Sequence, residues 1–225
     1  MTIAVVIPTL NEEQALPRTL SHTIGLGFDE IIVVDGGSGD RTQAIVRSLA
    51  GTLLISPPGR ARQMNRGAAE ANSDVLLFLH ADTLLPREAK DAILGALRDP
   101  ACVGGRFDVR FDCDSHLGRV IGAMMNLRSR LTGIATGDQA IFVRKTVFER
   151  LGGYADIPLM EDIDFTKRLR RLGRVAALSA TVVTSYRRWN LCGPVRTILL
   201  MWTLRLLYWL GVNPNRLSRW YVAVR

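Results

Sequence analysis

The apolar positions of this chain fall into short unbroken runs separated by segments with helical spacing. Residues 3–7 form the first run, which stops at Pro8, and Asn11-Glu12-Glu13 opens a helical stretch to about residue 24. A β-branched run at 31–34 is broken by Gly36-Gly37-Ser38-Gly39, and a helix is predicted over 40–49. A run at 53–55 precedes a helix over 60–71, and a run at 75–79 precedes one over 87–97. Strand and helix alternating at this spacing predict a parallel sheet with crossover helices. The runs are apolar throughout, the pattern of strands covered on both faces.

The second half is less regular. Residues 103–111 alternate and predict a strand, 117–131 a helix, 140–143 a short strand and 147–151 a helix ending at Gly152-Gly153. A helix over 161–172 carries Ile163, Phe165 and Leu169, and a strand follows at 175–178. Residues 197–212 are nearly all apolar, with Arg205 among them. These sixteen residues fall short of the roughly 20 a bilayer span needs. An arginine near mid-helix would add about 2.5–3.5 kcal/mol to insertion. A membrane-surface, dimer or body contact is therefore expected for this helix, which needs cover on several sides. Trp202, Tyr208, Trp209, Trp220 and Tyr221 are interfacial residue types.

Composition narrows the class. In 225 residues, 48% are apolar and 22% charged, an ordinary globular balance. The three cysteines, Cys102, Cys113 and Cys192, form no CxxC pair, which excludes a zinc ribbon and a dithiol redox motif. The N-terminus has neither a basic leader nor a small-residue cleavage site, so cytoplasmic residence is expected. The net charge of +8 is unevenly placed: after Asp164 there are twelve Lys or Arg and no acid, whereas residues 1–164 carry 17 basic and 21 acidic groups. A basic tail predicts an anionic partner: a phosphate-rich ligand, an anionic membrane surface or nucleic acid.

In parallel sheets ligands bind beyond the carboxyl ends of the strands. Those ends carry Pro8-Thr9, Asp35 and His80-Ala81-Asp82. Asp35, ahead of Gly36-Gly37, suits hydrogen bonds from a base or ribose, or a plain turn with Asp40 capping the next helix. His80 and Asp82, at i and i+2, point the same way in extended backbone. The Asp82 carboxylate would bind a hard cation, Mg²⁺ or Mn²⁺, together with diphosphate oxygens, or else cap a turn near Pro86. Glu161-Asp162-Ile163-Asp164 opens a helix with more carboxylates than capping needs, and one could take a proton. Arg187-Arg188-Trp189 offers planar forks for phosphate, and the Arg60–Gly67 segment a polar helix N-terminus suited to an anion. Either basic segment would also serve as a solvated face.

In order, Ile-Pro-Thr-Leu-Asn-Glu-Glu at 7–13, Val-Val-Asp-Gly-Gly-Ser-Gly-Asp at 33–40, Phe-Leu-His-Ala-Asp at 78–82, Glu161-Asp162 and Arg188-Trp189 resemble a family 2 glycosyltransferase of the GT-A fold. The resemblance covers roughly residues 3–190, with 191–225 left as a basic apolar helical appendage. It implies an α/β fold with one Rossmann-like, mostly parallel sheet, and an inverting transfer from a nucleotide sugar. Pro8, Thr9, Asn11 and Glu12 would line the nucleoside pocket, Asp35 would contact base or ribose, and Arg62 and Asn65 would lie near the nucleotide. Asp82 would match the last acid of the DxD motif and hold Mn²⁺ or Mg²⁺, Asp162 the catalytic base, and Arg188 with Trp189 the RW of QxxRW. Arg188 would act with Asp162 in catalysis, while His80, Asp138, Glu161 and Arg187 join the substrate-binding set. Two positions depart from the pattern: His80 replaces the first DxD acid, and Ser185 stands where Gln would, which points to single transfer rather than processive synthesis. A lipid or lipid-linked acceptor at the inner face of the membrane fits the tail, with no nucleic-acid partner and a homodimer open. The rival classes are a nucleotidyltransferase, whose glycine- and lysine-bearing first loop is absent here, and a non-catalytic anion-binding relative.

Overall fold

The computed structural model describes residues 1–49 and 51–221; the last four residues of the predicted appendage lie outside them. Among the described residues eight strands form one sheet: β1 (Ile3–Thr9), β2 (Glu30–Asp35), β3 (Thr52–Ile55), β4 (Val75–Phe78), β5 (Thr83–Leu84), β6 (Cys102–Phe111), β7 (Ile141–Arg144) and β8 (Arg174–Thr184). Their order is β3-β2-β1-β4-β7-β6-β8-β5. The first four long strands pair in parallel, as the alternation predicts. β7 then runs antiparallel to both β4 and β6.

The helices are α1 (Leu16–Gly25), α2 (Thr42–Ser48), α3 (Arg60–Glu70), α4 (Ala89–Ala96), α5 (His116–Thr132), α6 (Lys145–Arg150), α7 (Glu161–Leu169), α8 (Arg187–Cys192), α9 (Pro194–Trp209) and α10 (Pro214–Leu217). Two expectations shift and one strand is added. Residues 11–15 are loop rather than helix: Asn11 has φ 54°, and Pro17 sits in the first turn of α1, where its missing N–H costs nothing. The strand expected at 175–178 runs on to Thr184, through Ser179 and Thr181, whose polarity hides it. The two-residue β5, paired with the end of β8, gives too short a pattern to read.

Successive side chains of a strand face opposite sides. Ile3, Val5 and Ile7 therefore enter one core, with Leu16, Leu20, Leu77 and Ile93. Ala4 and Val6 enter the other, with Val34, Met64, Phe78 and Phe165. α3 lies almost directly on the second face: a Cβ on Gly67 would sit 2.5 Å from Val6 Cγ1 and 2.9 Å from Val34 Cγ2. A smaller cluster joins Leu159 and Met160 to Leu204 of α9 and Leu217 of α10. Among the described residues no helix is long and apolar enough to cross a membrane.

Gly67→Ala should therefore lower stability by about 1–3 kcal/mol through overpacking. Gly95→Ala, on α4 with nothing within 4 Å of the added methyl, should raise it by about 0.5 kcal/mol. Chemical denaturation of the two variants beside the parent checks the contrast.

Candidate active site

β1, β2 and β4 run in the same direction, so their carboxyl ends share one edge of the sheet. At that edge the Asp35 carboxylate is fully buried and held by its own loop. It accepts from Gly37 N at 3.0 Å, Ser38 N at 2.9 Å, Gln43 Nε2 at 2.8 Å and the Ser38 hydroxyl. Asn11 ties the first loop to the second: its amide donates to Ser38 Oγ at 2.8 Å, and its Oδ1 accepts from Gly39 N at 2.9 Å. Asp40 accepts from Thr42 N at 2.9 Å in the first turn of α2. Thr9 faces into the sheet, with its hydroxyl 3.4 Å from Val34 O. Gln63, which the sequence does not single out, is buried beneath both loops and donates to Thr9 O at 2.6 Å and Val34 O at 2.8 Å. Its signal was faint, a polar residue on the apolar face of a helix.

Because β7 is antiparallel to β4, its start rather than its end reaches this edge, with Phe78 opposite Ile141. Thr136–Ala140 thus arrives beside His80, and His80 Nδ1 lies 3.2 Å from Asp138 Oδ1. Burial pushes the Asp138 carboxyl up, but the hydrogen bond and charge of His80, with Arg60 and Arg205, outweigh it and hold the group below the usual range. Gly137 lets the two approach, since a Cβ would lie 2.3 Å from His80 Nε2 and push the imidazole aside. Its amide donates to Asp162 Oδ2 at 2.8 Å, while Ile163 N donates to Oδ1 at 2.7 Å. Each Asp162 oxygen is thereby oriented by one backbone amide. Glu161 is buried beside it, its carboxyl pushed up first by desolvation and then by the Asp162 charge. Pro8, His80, Tyr154, Glu161 and Asp162 line one narrow cavity. Among the described residues three non-glycines have positive φ: Asn11 at 54°, Ala140 at 47° and Met160 at 71°. They border, respectively, the first loop, the His80 contact and the Glu161-Asp162 pair, and each such position stores about 1–3 kcal/mol.

The expectation that His80 and Asp82 extend in parallel is corrected. β4 ends at Phe78 and the chain turns at Ala81-Asp82, so His80 meets Asp138 whereas Asp82 has Glu12 as a charged neighbour. Arg187 Nη2 lies 3.4 Å from Glu12 Oε2, completing an Asp82–Glu12–Arg187 group. Desolvation, reinforced by Asp82, raises the Glu12 carboxyl above its usual range in spite of Arg187. No group of three or more His, Cys, Asp or Glu among the described residues is close enough to hold a metal unaided. The Asp82 carboxylate accepts no hydrogen bond from the described residues, so its lone pairs fit a cation whose other ligands are diphosphate and water.

Other sequence candidates lie further out. Arg62 is exposed and pairs with Asp156 at 2.9 Å. Asn65 braces the 154 loop, donating to Tyr154 O at 2.8 Å and accepting from Tyr154 N at 2.9 Å. Arg60, by contrast, is within electrostatic reach of Tyr221, Glu161, Asp138 and Asp162. The Arg188 guanidinium stacks over the Tyr221 ring, 3.8 Å from its centroid. Trp189 packs against Phe111 and stacks on Tyr186, which ties α8 to β6. A 630 Å³ groove between β6 and α5 shares no residue with this constellation.

The comparisons agree with this geometry. The family model described as Glycosyl transferase family 2 matches residues 4–152. A probable glycosyltransferase, YdaM, of Bacillus subtilis is 31% identical over 197 residues, 76% of this chain and 47% of the relative; the chain spans about half that relative's length. Among solved structures, the mannosyltransferase PcManGT of Pyrobaculum calidifontis, in complex with GDP-Man and Mn²⁺, superposes with a TM-score of 0.64 at 22% identity, covering 80% of this chain and 56% of that one. Glucosyl-3-phosphoglycerate synthase of Mycobacterium tuberculosis, in complex with Mn²⁺, UDP and glucosyl-3-phosphoglycerate, gives 0.60 at 19%, covering 80% and 70%. The sheet, curled and mostly parallel with helices on both faces, is the GT-A fold. With the first three strand ends, the His80-Ala81-Asp82 turn and β7 all inside the matched region, the chain belongs to glycosyl transferase family 2.

Proposed function

We propose that this chain transfers a sugar, with inversion, from a nucleoside diphosphate sugar to a hydroxyl or phosphate oxygen of a lipid or lipid-linked acceptor. The observation that carries the reading is the meeting of two acidic groups at one sheet edge: Asp82–Glu12–Arg187 on the side of the first strand loop, and His80–Asp138–Asp162 beside it. The first suits a diphosphate, the second an acceptor oxygen.

The loops after β1 and β2 would cradle the nucleoside through Pro8, Asn11 and Glu12. Asp35 serves chiefly by holding its loop, since its oxygens are already engaged. Asp82 would hold Mn²⁺ or Mg²⁺, as the Mn²⁺-bearing structural neighbours support. A cation there would neutralise charge on the departing diphosphate. Arg187, already beside Glu12, adds fixed positive charge at the same end, and Arg188, the next residue along α8, would join it. For a hydroxyl acceptor Asp162 would remove the proton as the oxygen attacks the anomeric carbon and the diphosphate departs; a phosphate oxygen, already ionised, would attack without that step. The two amide donors of Asp162 fix the carboxylate and leave a lone pair on each oxygen free for the work.

The acceptor class rests on two exposed stripes. α5 presents Leu117, Val120, Met124, Leu127 and Leu131, and α9 presents Val195, Leu199, Trp202, Leu206 and Trp209. Each set repeats every three or four residues, so each lies along one helix face. Neither helix carries an acid, and Arg119 of α5 and Arg196 of α9 are exposed, a charge that complements an anionic bilayer surface.

Asp162→Asn should lower kcat by about 10²–10⁴-fold while nucleotide binding stays within about twofold. Transfer at the parental rate would remove Asp162 from the base role. Asp82→Asn should abolish the Mn²⁺-dependent part of UDP or GDP binding in calorimetry, leaving the weak binding seen in chelator unchanged. On the acceptor side, the full chain should float with vesicles of phosphatidylglycerol and phosphatidylcholine. Trp202→Glu with Leu206→Glu should stay at the bottom of the gradient while retaining nucleotide binding, and equal flotation of both proteins would refute the docking face.

A further inference from the structure

Arg128 of α5 and Arg205 of α9 are charge neighbours where the two helices meet, and Ile198 of α9 packs on the cluster containing Ile121 of α5. Both face Asp162 and Asp138, and Arg106 also faces Arg128. Neither forms an ion pair among the described residues. The Arg128 Nε and one terminal nitrogen are buried without a hydrogen-bond partner. A buried donor left unmet is costly, more so when charged. Burial, then the Arg205 charge, pushes Arg128 down to about 10, where it is still cationic at neutral pH. Two neighbouring guanidiniums whose donors are not spent on hydrogen bonds can take an anion with several acceptor oxygens. Their planar forks match phosphate oxygens.

Position says whose phosphate. The diphosphate side of the site has its own cation, Arg187, on Glu12 beside Asp82. The strongest charge partners of Arg205 are instead Asp162 and Asp138, on the acceptor side. The two helices that carry the pair also carry the exposed apolar stripes, so an alkyl chain attached to the bound group would have apolar surface on the same elements.

We propose that Arg128 and Arg205 form a subsite for the phosphate group of the acceptor, holding it next to Asp162. This rests on the glycosyl-transfer reading and names the acceptor's chemical class. The subsite also explains why guanidinium donors with no hydrogen-bond partner are tolerated between helices: the missing acceptor belongs to the substrate, and stability is given up for binding.

The test is calorimetry on the full chain with Mn²⁺ and UDP bound, using farnesyl phosphate, farnesol and glycerol 3-phosphate as probes. Farnesyl phosphate should bind the parent and weaken at least ~10-fold in both Arg128→Gln and Arg205→Gln, with partial recovery in Arg128→Lys. Farnesol should not distinguish parent from variants. Glycerol 3-phosphate binding as tightly as farnesyl phosphate assigns a soluble phosphorylated acceptor; a clear preference for farnesyl phosphate assigns a lipid phosphate; both support the subsite. Arg128→Gln should keep or raise the melting temperature, since it removes a desolvated guanidinium with unmet donors beside Arg205, which separates a binding loss from misfolding. Phosphate binding that is unchanged in the variants, or absent from a parent that binds UDP with Mn²⁺, overturns the subsite and leaves glycosyl transfer standing. So does a loss of UDP affinity in the variants, which would place the pair on the donor. A parent that binds no nucleotide with Mn²⁺ overturns the underlying reading instead.

Discussion

The site depends on one reversal of chain direction, the antiparallel pairing of β7 with β4. A parallel sheet delivers only strand ends to its ligand edge. By inserting a strand that starts there, the chain adds a second kind of loop, the one preceding β7. That loop brings Gly137 and Asp138 against His80 and lets a backbone amide reach Asp162. Phe78 opposite Ile141 sets the register, and a slip of one residue would turn every β7 side chain to the wrong core. Two fully apolar cores on either side of the sheet make that slip expensive.

Order at the edge is maintained against local preference. Asn11, Ala140 and Met160 all occupy left-handed backbone that glycine would adopt freely. Each is held by something larger than itself: Asn11 by its two hydrogen bonds to the next loop, Ala140 by full burial, and Met160 by packing against Leu204 and Leu217. The Glu161-Asp162 pair, which follows Met160 directly, inherits its position from that packing.

Most of the sheet was legible because its strands are apolar runs bounded by Pro8, Gly36-Gly37 and His80. The polar residues at those boundaries marked the edge before any contact was known. What was not legible depends on partners distant in sequence. Nothing near residue 138 announces its contact with residue 80, since that contact exists only once β7 reverses. Nor could Asp35 be read as saturated by its own loop rather than open to a ligand, because Gln43 lies eight residues on and in the next helix. Strand β8 was cut short by its polar residues, and β5 was too brief to carry a pattern. The apolar helix near the C-terminus was visible, but not that Leu204 sits under Met160 while Arg205, one residue on, turns towards Asp162.

α9 has two working faces. One carries Leu204, wedged against the strained Met160; the other exposes Trp202 and Leu206. A rigid helix cannot shift on one side alone, so anything that engages the outer face shares its free energy with the geometry of the Glu161-Asp162 pair, and the coupling runs equally in both directions. Docking of the proposed kind on that outer face would therefore be felt at the Glu161-Asp162 pair, with the helix itself as the lever.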